Sequence, residues 1–412
     1  MIKDFEKLKR NYARLIVRRG LNIPSGRLIK IVADIDQPDF VNTLVEECYL
    51  AGARHVVVNW NYCPVERLIA ERTSLKELKE IPPYKKEEIK FDVRNNVAFI
   101  YLESNNPNYL NGIDARKTSI PNMIRRAYVN KVRGDTAYRA PYTIACLPSK
   151  EWAKLLFPKL SEKEGVEKFW ELIFKFTYVT PNDALKGWDK HCKAIDDKAK
   201  WLNTLHIKEL HYQSKNGTNL KVGMTDRYQF AGTYDFDVIR KSKYYSNIPT
   251  EECFVSPHRL LTEGVVVASK PLCENGQLIE GIKLKFKKGR IVEAHAKKNE
   301  KLLKQLINAE ENMHYLGEAA LVPYSSLINK TNIIFFNTLL DENACCHFAF
   351  GDSYRYTYRG YELMVRETLL EKGLNQATNH VDFMIGTKDL KITAITKDNK
   401  KVVIFKNGEW AK

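Results

Sequence analysis

The sequence has no apolar run long enough to form a membrane-spanning helix. Its 412 residues contain no stretch of about 18 or more apolar residues, the length that a bilayer requires. The N-terminal sequence MIKDFEKLKR is highly charged and is not followed by the apolar segment of a secretory signal. We therefore expect a cytoplasmic protein without a membrane partner.

Several motifs with well-defined chemistry are also absent. The eight cysteines include no C-x-x-C pair, which argues against zinc ribbons and thioredoxin-like redox sites. Neither G-x-G-x-x-G nor G-x-x-x-x-G-K-[ST] occurs, so the sequence has no fingerprint of a dinucleotide-binding or P-loop protein. In a cytosolic protein we expect the cysteines to be reduced.

Basic residues outnumber acidic ones, 66 to 50, and give a formal net charge of +16. The excess is concentrated near the N-terminus and in residues 283–304. A basic surface attracts acidic partners, but the sequence contains no Cys/His finger, no RNP-type aromatic strand and no basic region leading into heptads. We therefore interpret the excess as a lysine-rich solvated surface and expect no nucleic-acid partner.

The length favours two domains, because a single hydrophobic core seldom serves more than about 250–300 residues. In the N-terminal half, short apolar segments alternate with amphipathic ones. Strands are predicted at 28–33, 55–60, 97–102 and 142–147, and helices at 5–19, 38–51 and 119–132. Strands that alternate with helices form right-handed crossovers and a largely parallel sheet. We predict an α/β N-terminal domain over residues 1–208, mainly helical after residue 150.

The pattern changes after residue 208, where hairpin signals replace the alternation of strand and helix. The segments concerned are a hairpin around Asn216-Gly217, alternating residues 279–291, an amphipathic helix at 298–312, and strands at 391–396 and 402–405. Consecutive short strands with tight turns are typical of antiparallel pairing. We predict an α+β C-terminal domain over residues 209–412, with a mainly antiparallel sheet.

Carboxylate and imidazole side chains are scattered through this C-terminal half. A hydrolytic metal site uses oxygen and nitrogen ligands and keeps a position open for water. Structural zinc sites prefer thiolates, whereas two divalent ions held close together need carboxylates between them. We predict a metal-binding site for two divalent ions of zinc, cobalt or manganese, with the ligands Glu252, Glu318, Glu342, His347, His380 and Asp382.

Local spacing supports part of this set. If their segment is extended, His380 and Asp382 point to the same face of one strand. No regular element brings Glu342 and His347 together, so a turn or the start of a helix is needed between them. Glu318 lies among glycine and alanine, where a buried charge is costly without a partner.

The same residues also have purely structural interpretations. Glu252 follows Thr250 by two positions and is equally explained as a first-turn carboxylate of a helix capped by that threonine. His347 and His380 are equally explained as hydrogen-bonded core histidines. The spacing alone does not decide between these interpretations and a metal site.

Five segments of the C-terminal half together resemble one family. They are N-I-P-T-E-E-C-F (247–254), E-G-V-V-V-A-S-K-P-L (263–272), L-G-E-A-A-L-V-P (316–323), T-L-L-D-E-N-A-C-C-H-F-A-F-G (338–351) and H-V-D-F-M-I-G (380–386). Two N-terminal segments, at 12–22 and 51–60, extend the resemblance to nearly the full length. The chain resembles the thermophilic metallo-aminopeptidase family, which includes the aminopeptidase T and aminopeptidase S types.

The resemblance implies a fold, an assembly and a set of roles. The family has an α/β N-terminal domain, a metal-binding C-terminal domain and a homodimer that encloses the site. By resemblance, two cocatalytic divalent ions are bound by the six ligands, with Glu318 and Asp382 as bridges. Tyr354 is implied as a phenol that hydrogen-bonds the reacting carbonyl or its oxyanion. The sequence departs from the family in its basic charge and in Cys345-Cys346, which bears on substrate preference and surface partners.

The predicted activity is removal of the N-terminal residue from peptides with a free N-terminus, by hydrolysis at a dinuclear metal centre. Glu318 is the preferred carboxylate for passing a proton to the leaving amine, and Glu251 is the second candidate. Two other classes stay open. One is a metal-free binding protein that uses its basic surface for an acidic partner, and the other is a different dinuclear hydrolase, such as a phosphoesterase.

Overall fold

The fold is given by a computed structural model that describes residues 2–114, 116–134, 140–237, 239–274 and 276–411. The helices are α1 (Phe5–Leu15), α2 (Pro38–Leu50), α3 (Cys63–Arg72), α4 (Leu75–Leu78), α5 (Pro83–Arg94), α6 (Arg116–Arg133), α7 (Lys150–Leu156), α8 (Glu162–Phe176), α9 (Lys186–Thr204), α10 (Glu300–Ile307), α11 (Thr338–Glu342) and α12 (Arg366–Glu371). The strands are β1 (Leu28–Asp34), β2 (His55–Asn61), β3 (Ala98–Glu103), β4 (Tyr142–Cys146), β5 (Ile207–Gln213), β6 (Asn219–Gly223), β7 (Asp235–Asp237), β8 (Ser242–Tyr244), β9 (Asn247–Ile248), β10 (Cys253–Val255), β11 (Thr262–Val267), β12 (Leu272–Glu274), β13 (Gln277–Ile279), β14 (Lys283–Lys287), β15 (Arg290–His295), β16 (Leu316–Leu321), β17 (His347–Gly351), β18 (His380–Met384), β19 (Lys391–Thr396), β20 (Lys401–Lys406) and β21 (Glu409–Trp410).

The described residues form two compact units. The first contains residues up to 134, residues 140–191 and residues 234–250, and the second contains residues 192–233 and 251–411. The domain boundary that we predict at residue 208 stays a prediction. In the structure, the chain changes unit within α9 and returns to the first unit for residues 234–250.

The first unit is built on a five-stranded parallel sheet with the strand order β2-β1-β3-β4-β9. β1 pairs in parallel with β2 and β3, and β4 pairs in parallel with β3 and β9. The side chains of Ile29, Ile31 and Ala33 on β1 are buried. This arrangement confirms the largely parallel sheet that we predicted from the alternation of strands and helices.

The return of the chain to the first unit is fixed by local contacts. β9 adds a strand beside β4, with Ile144 opposite Asn247 and Ala145 opposite Ile248. At the end of β7, the fully buried carboxylate of Asp237 forms an ion pair with the buried guanidinium of Arg27. Loss of one partner of a buried ion pair destabilises the folded protein by about 3–5 kcal/mol, because the other charge is left buried without compensation. This contact therefore holds the segment in place.

The helix predicted at 5–19 is present but changes its winding. α1 ends at Leu15 and continues as a π-helix from Ile16 to Leu21. A Cβ atom added at Gly20 would lie 2.8 Å from the hydroxyl oxygen of Thr143 on β4. Glycine therefore permits the close approach of this turn to the sheet, which the helical periodicity alone did not predict.

The second unit contains a larger and a smaller antiparallel sheet, and β12 and β13 pair in a separate two-stranded one. The larger sheet has eight strands in the order β15-β14-β11-β6-β5-β19-β20-β21, and the smaller has the order β10-β16-β17-β18. The hairpin predicted around Asn216-Gly217 is confirmed as β5 and β6, with Gln213 opposite Asn219. The mainly antiparallel character predicted for this part of the chain is also confirmed.

The larger and the smaller sheet of the second unit share one hydrophobic core. Leu210 and Tyr212 of the larger sheet belong to the same buried cluster as Phe348 and Phe383 of the smaller one. The rings of Tyr212 and Phe348 lie 4.8 Å apart, edge to face. Full burial of one such side chain contributes about 1.5–3 kcal/mol, so this core fixes the smaller sheet firmly.

A buried carboxylate at the end of β1 makes the stability of the protein depend on pH. Asp34 accepts a hydrogen bond from Ser104, at 2.7 Å, and burial raises its pKa to about 6. Because the folded state favours the protonated acid, this carboxyl group costs stability as the pH rises through about 6.

We expect Asp34→Asn to raise the melting temperature at about pH 8 and to give little gain at about pH 4, because the amide cannot ionise. Thermal unfolding followed by circular dichroism at both pH values measures the difference. Asp39→Asn, at the exposed first turn of α2, is the control and should not stabilise the protein at either pH. A pH-independent effect of Asp34→Asn would contradict the prediction.

Candidate metal centre

The four-stranded sheet has different chemistry on its two faces. Successive side chains of a strand point to opposite faces. The side chains that enter the shared core are those of Cys253, Val255, Ala319, Leu321, Phe348, Phe350, Val381 and Phe383. The residues that alternate with them include Glu318, His347, His380 and Asp382, so four of the six predicted ligands lie on one face of one sheet.

The register of the strands brings these ligands close together across the sheet. Glu318 on β16 lies opposite Ala349 on β17, which in turn lies opposite Asp382 on β18. In the neighbouring row, His347 lies opposite Ala320. The backbones of Glu318 and Asp382 are two strand spacings apart, roughly 10 Å, and in this row of the sheet the side chain between them is the methyl group of Ala349. The two carboxylates can therefore converge above the middle strand.

The ligand atoms form two groups that have one residue in common. Those of Glu252, Glu318 and His347 lie within 4.8 Å of one another, and so do those of Glu318, His380 and Asp382. The shortest separations are 3.0 Å from His347 Nε2 to Glu252 Oε2 and 3.0 Å from His380 Nε2 to Glu318 Oε2. Glu318 belongs to both groups, as a residue that bridges two ions would.

Each histidine is oriented by a backbone carbonyl. His380 Nδ1 lies 2.7 Å from the carbonyl oxygen of Asp352, and His347 Nδ1 lies 3.3 Å from that of Cys345. Because a carbonyl only accepts, Nδ1 donates, and Nε2 is the ring nitrogen that faces the carboxylates and would bind an ion once it is deprotonated. Metal-bound histidines are commonly held in this way. A Cβ atom added at Gly317 would lie 2.0 Å from the same Asp352 oxygen, so glycine is needed before Glu318.

The electrostatics of the cluster reflect a surplus of negative charge in a buried place. Burial raises the pKa of Glu318 to about 7, while its contact with His380 opposes the rise. Burial lowers the pKa of His347, but its contact with Glu252 and the nearby carboxylates outweigh this effect, so the pKa is well above its ordinary value. The same balance raises the pKa of His380 through Asp382 and Glu318. Bound divalent cations would offset the negative charge of these buried carboxylates.

The side chains that converge here fit divalent cations. The three carboxylates and two imidazoles of these groups match the ligand preferences of zinc, cobalt and manganese, and no thiolate belongs to either group of ligand atoms. The buried oxygens Glu252 Oε2 and Asp382 Oδ1 face imidazole nitrogens, at 3.0 Å from His347 Nε2 and 3.2 Å from His380 Nε2. Buried carboxylates are costly unless they are paired or coordinate an ion, and these oxygens and nitrogens are ligand types that divalent ions accept.

Glu342 and Tyr354 lie beside the two groups. Glu342 is the last residue of α11 and is buried, and burial together with the charges of Asp382 and Glu252 raises its pKa well above the ordinary value. Its ligand atoms are not part of either group within 4.8 Å. The ring of Tyr354 lies 5.1 Å from the ring of His380. The roles of both residues stay predictions.

Three residues next to the ligands in the sequence make contacts that stabilise the fold or are buried outside the ligand groups. They are Asp341, Cys345 and Cys346. Asp341 accepts hydrogen bonds from the backbone amides of Phe335 and Asn337, which fixes the start of α11. Cys346 is buried, with its sulfur atom 3.3 Å from the carbonyl oxygen of Val322. Cys345 is also buried, and neither cysteine belongs to the groups of ligand atoms.

The helical interpretation of the segment after Thr250 is wrong. Glu251 and Glu252 precede the strand β10, which begins at Cys253, and no helix starts at the threonine. One feature of the site was not recognised from the sequence. It is Ala349, which leaves the space between Glu318 and Asp382. The pattern H-F-A-F-G, with its small residues on the ligand face, is the signal that was available.

Comparisons with known proteins identify the family of the chain. The family model described as thermophilic metalloprotease (M29) matches residues 5–410. The chain is 37% identical to aminopeptidase AmpS of Bacillus subtilis over 99% of each chain, and 34% identical to aminopeptidase PepS of Streptococcus thermophilus over 100% of this chain and 99% of the relative. The solved structure of wild-type AmpT from Thermus thermophilus matches with a TM-score of 0.89 at 32% identity, covering 99% of this chain and 100% of that one.

The chain belongs to the thermophilic metalloprotease (M29) family, and it is a metallo-aminopeptidase, a peptide hydrolase. The resemblance seen in the sequence is thereby confirmed, and with it the use of divalent metal. Among the described residues, no helix is both long and apolar enough to cross a membrane.

Proposed function

We propose that this enzyme removes the N-terminal residue of peptides with a free amino terminus at a centre of two divalent ions. The observation that carries the proposal is the position of Glu318, which belongs to both groups of ligand atoms. A single ion would not need two groups that meet at one carboxylate. Zinc, cobalt and manganese all suit the oxygen and nitrogen donors.

The six side chains would hold the ions, and Glu318 is the residue that both groups of ligand atoms share. Bound there, two divalent ions supply an activated water at neutral pH and polarise the carbonyl under attack. Glu318 is buried at the centre of the cluster, where its carboxylate can accept the proton of the attacking water and return it to the leaving amine.

Tyr354 would act on the substrate carbonyl in this proposal. Its ring packs against Phe254, at 5.1 Å, and Tyr356, at 5.6 Å, while it lies 5.1 Å from His380. This packing limits the positions of the phenol to the neighbourhood of the cluster. Its hydroxyl group would donate a hydrogen bond to the oxygen that becomes negative in the transition state.

Removal and return of metal tests the proposal. We expect a chelator to abolish hydrolysis of leucine p-nitroanilide and stoichiometric zinc, cobalt or manganese to restore it, because the ions would supply the activated water and polarise the carbonyl group. Metal analysis of the restored enzyme should give two ions per chain. One ion per chain at full activity would contradict the dinuclear centre.

Three substrates separate the possible activities of the restored enzyme. N-acetyl-leucine p-nitroanilide lacks the free amine and should not be cleaved if the enzyme is an exopeptidase. Bis(p-nitrophenyl) phosphate should not be cleaved either, whereas its hydrolysis at a rate comparable with leucine p-nitroanilide would favour a phosphoesterase. Absence of all three activities in the metal-loaded protein would favour a binding protein.

The basic surface offers no specific support for an acidic partner. In residues 283–304, Lys285 pairs with Glu293 at 2.6 Å and Lys298 pairs with Glu280 at 2.9 Å. Exposed pairs of this kind contribute about 0–1 kcal/mol and are typical of a solvated surface. The homodimer and the cytoplasmic location stay predictions, and light scattering of the purified protein tests the first of them.

A further inference from the structure

A fully buried asparagine lies between two of the proposed ligands. Asn343 directly follows Glu342 at the end of α11. Its Oδ1 accepts a hydrogen bond from the backbone amide of Glu251 at 2.6 Å, and its Nδ2 donates one to the carbonyl oxygen of Leu339 at 2.8 Å. Both hydrogen-bonding groups of the side chain are therefore used inside the protein.

The carboxamide joins segments that are remote in the sequence. Glu251 and Asn343 are 92 positions apart. Glu251 is the residue before Glu252, so a bond to its amide fixes the backbone from which the Glu252 carboxylate reaches His347. On the other side, Nδ2 lies 3.5 Å from Glu342 Oε1. The side chain of Asn343 therefore contacts the backbone next to Glu252 and the carboxylate of Glu342.

The chemistry of the position requires an amide. The backbone N–H of Glu251 needs an acceptor, whereas the carbonyl of Leu339 and the carboxylate of Glu342 need a donor. Of the side chains of this size, only asparagine presents both groups, since aspartate has no donor when ionised and leucine has neither. The full burial of Asn343 means that water does not substitute for these bonds.

We propose that Asn343 is a positioning residue of the metal centre, which holds Glu252 and Glu342 at the separation that the ions require. The inference rests on the proposed function. Asn343 contacts no reacting atom and acts through its two neighbours. Residues that orient metal ligands typically change metal affinity by about 10- to 100-fold when they are replaced.

The test is the affinity of the protein for Co²⁺, which reports on ligand geometry without any substrate. We expect Asn343→Ala and Asn343→Leu to weaken Co²⁺ binding by about 10- to 100-fold in calorimetric titration of the metal-free protein. The visible absorption of bound Co²⁺ should also shift, because it depends on the arrangement of the ligands. Leucine fills the volume of the asparagine, so it provides a folded variant if alanine does not.

Asn203→Leu is the matched control. The carboxamide of Asn203 also serves one backbone N–H and one carbonyl, both of Phe230, at 2.8 and 2.9 Å, and its partner is not one of the proposed ligands. This variant should melt at a lower temperature yet bind Co²⁺ like the wild type. Wild-type Co²⁺ affinity in a folded Asn343 variant, or an equal loss in the control, would overturn the proposal. Failure of the wild-type protein to bind Co²⁺ would instead contradict the proposed function itself.

Discussion

The Glu318→Gln variant should lose almost all of its activity on leucine p-nitroanilide, with kcat lower by about 10²–10⁴-fold, the usual contribution of a positioned acid–base group. Glutamine has the shape of glutamate but cannot take a proton from water. It is also a weaker ligand, and Glu318 is the residue that both groups of ligand atoms include. Steady-state kinetics and metal analysis of the same samples separate loss of the proton acceptor from loss of the ions.

Glu251→Gln is the control for this experiment. Glu251 is buried next to a ligand, and burial raises its pKa to about 8, so its carboxyl group is largely protonated at neutral pH. An amide resembles a protonated carboxyl group in shape and charge, and we expect a small effect on kcat. If Glu251→Gln inactivates the enzyme while Glu318→Gln does not, the proton-transfer role belongs to Glu251.

The parts of the site that were predictable from sequence are those that depend on local geometry. His380 and Asp382 are two residues apart, and the period of a strand places them on one face, as β18 does. Glu342 and His347 needed an irregular connection, and the structure provides one between the end of α11 and the start of β17. The expected roles of Tyr354 and of the bridging carboxylates came from the resemblance to a family and not from spacing.

The parts that were not predictable depend on contacts between distant segments. The pairing of Glu318 with Ala349 is set by a register shift after Leu316, which no local pattern reveals. The return of residues 234–250 to the first unit depends on a two-residue strand and a buried ion pair, Arg27 with Asp237, more than 200 positions apart. Hydrophobic periodicity identifies the elements, but it carries no information about which strand lies beside which.

The second large effect that we expect comes from replacing Ala349, the residue between the two proposed bridging carboxylates. Ala349→Leu should give a folded protein that neither binds Co²⁺ tightly nor hydrolyses leucine p-nitroanilide. The methyl group of Ala349 is buried between Glu318 and Asp382 on the ligand face, and a leucine there would fill the space in which the two carboxylates converge. Overpacking of this kind costs about 1–3 kcal/mol, which a protein of this size tolerates, so the loss should be confined to the site.

Ala349→Gly separates the requirement for space from the requirement for alanine. Glycine leaves the same opening between Glu318 and Asp382 and costs about 0.5–1 kcal/mol in the middle of a strand. We expect it to melt at a slightly lower temperature and to keep Co²⁺ binding and activity. If Ala349→Leu binds two Co²⁺ ions with wild-type affinity, the carboxylates do not meet above the middle strand, and the ions lie elsewhere. Since Glu318 and Asp382 lie on either side of Ala349, the prediction is that a side chain no larger than a methyl group at this position is required for the sheet to hold two ions.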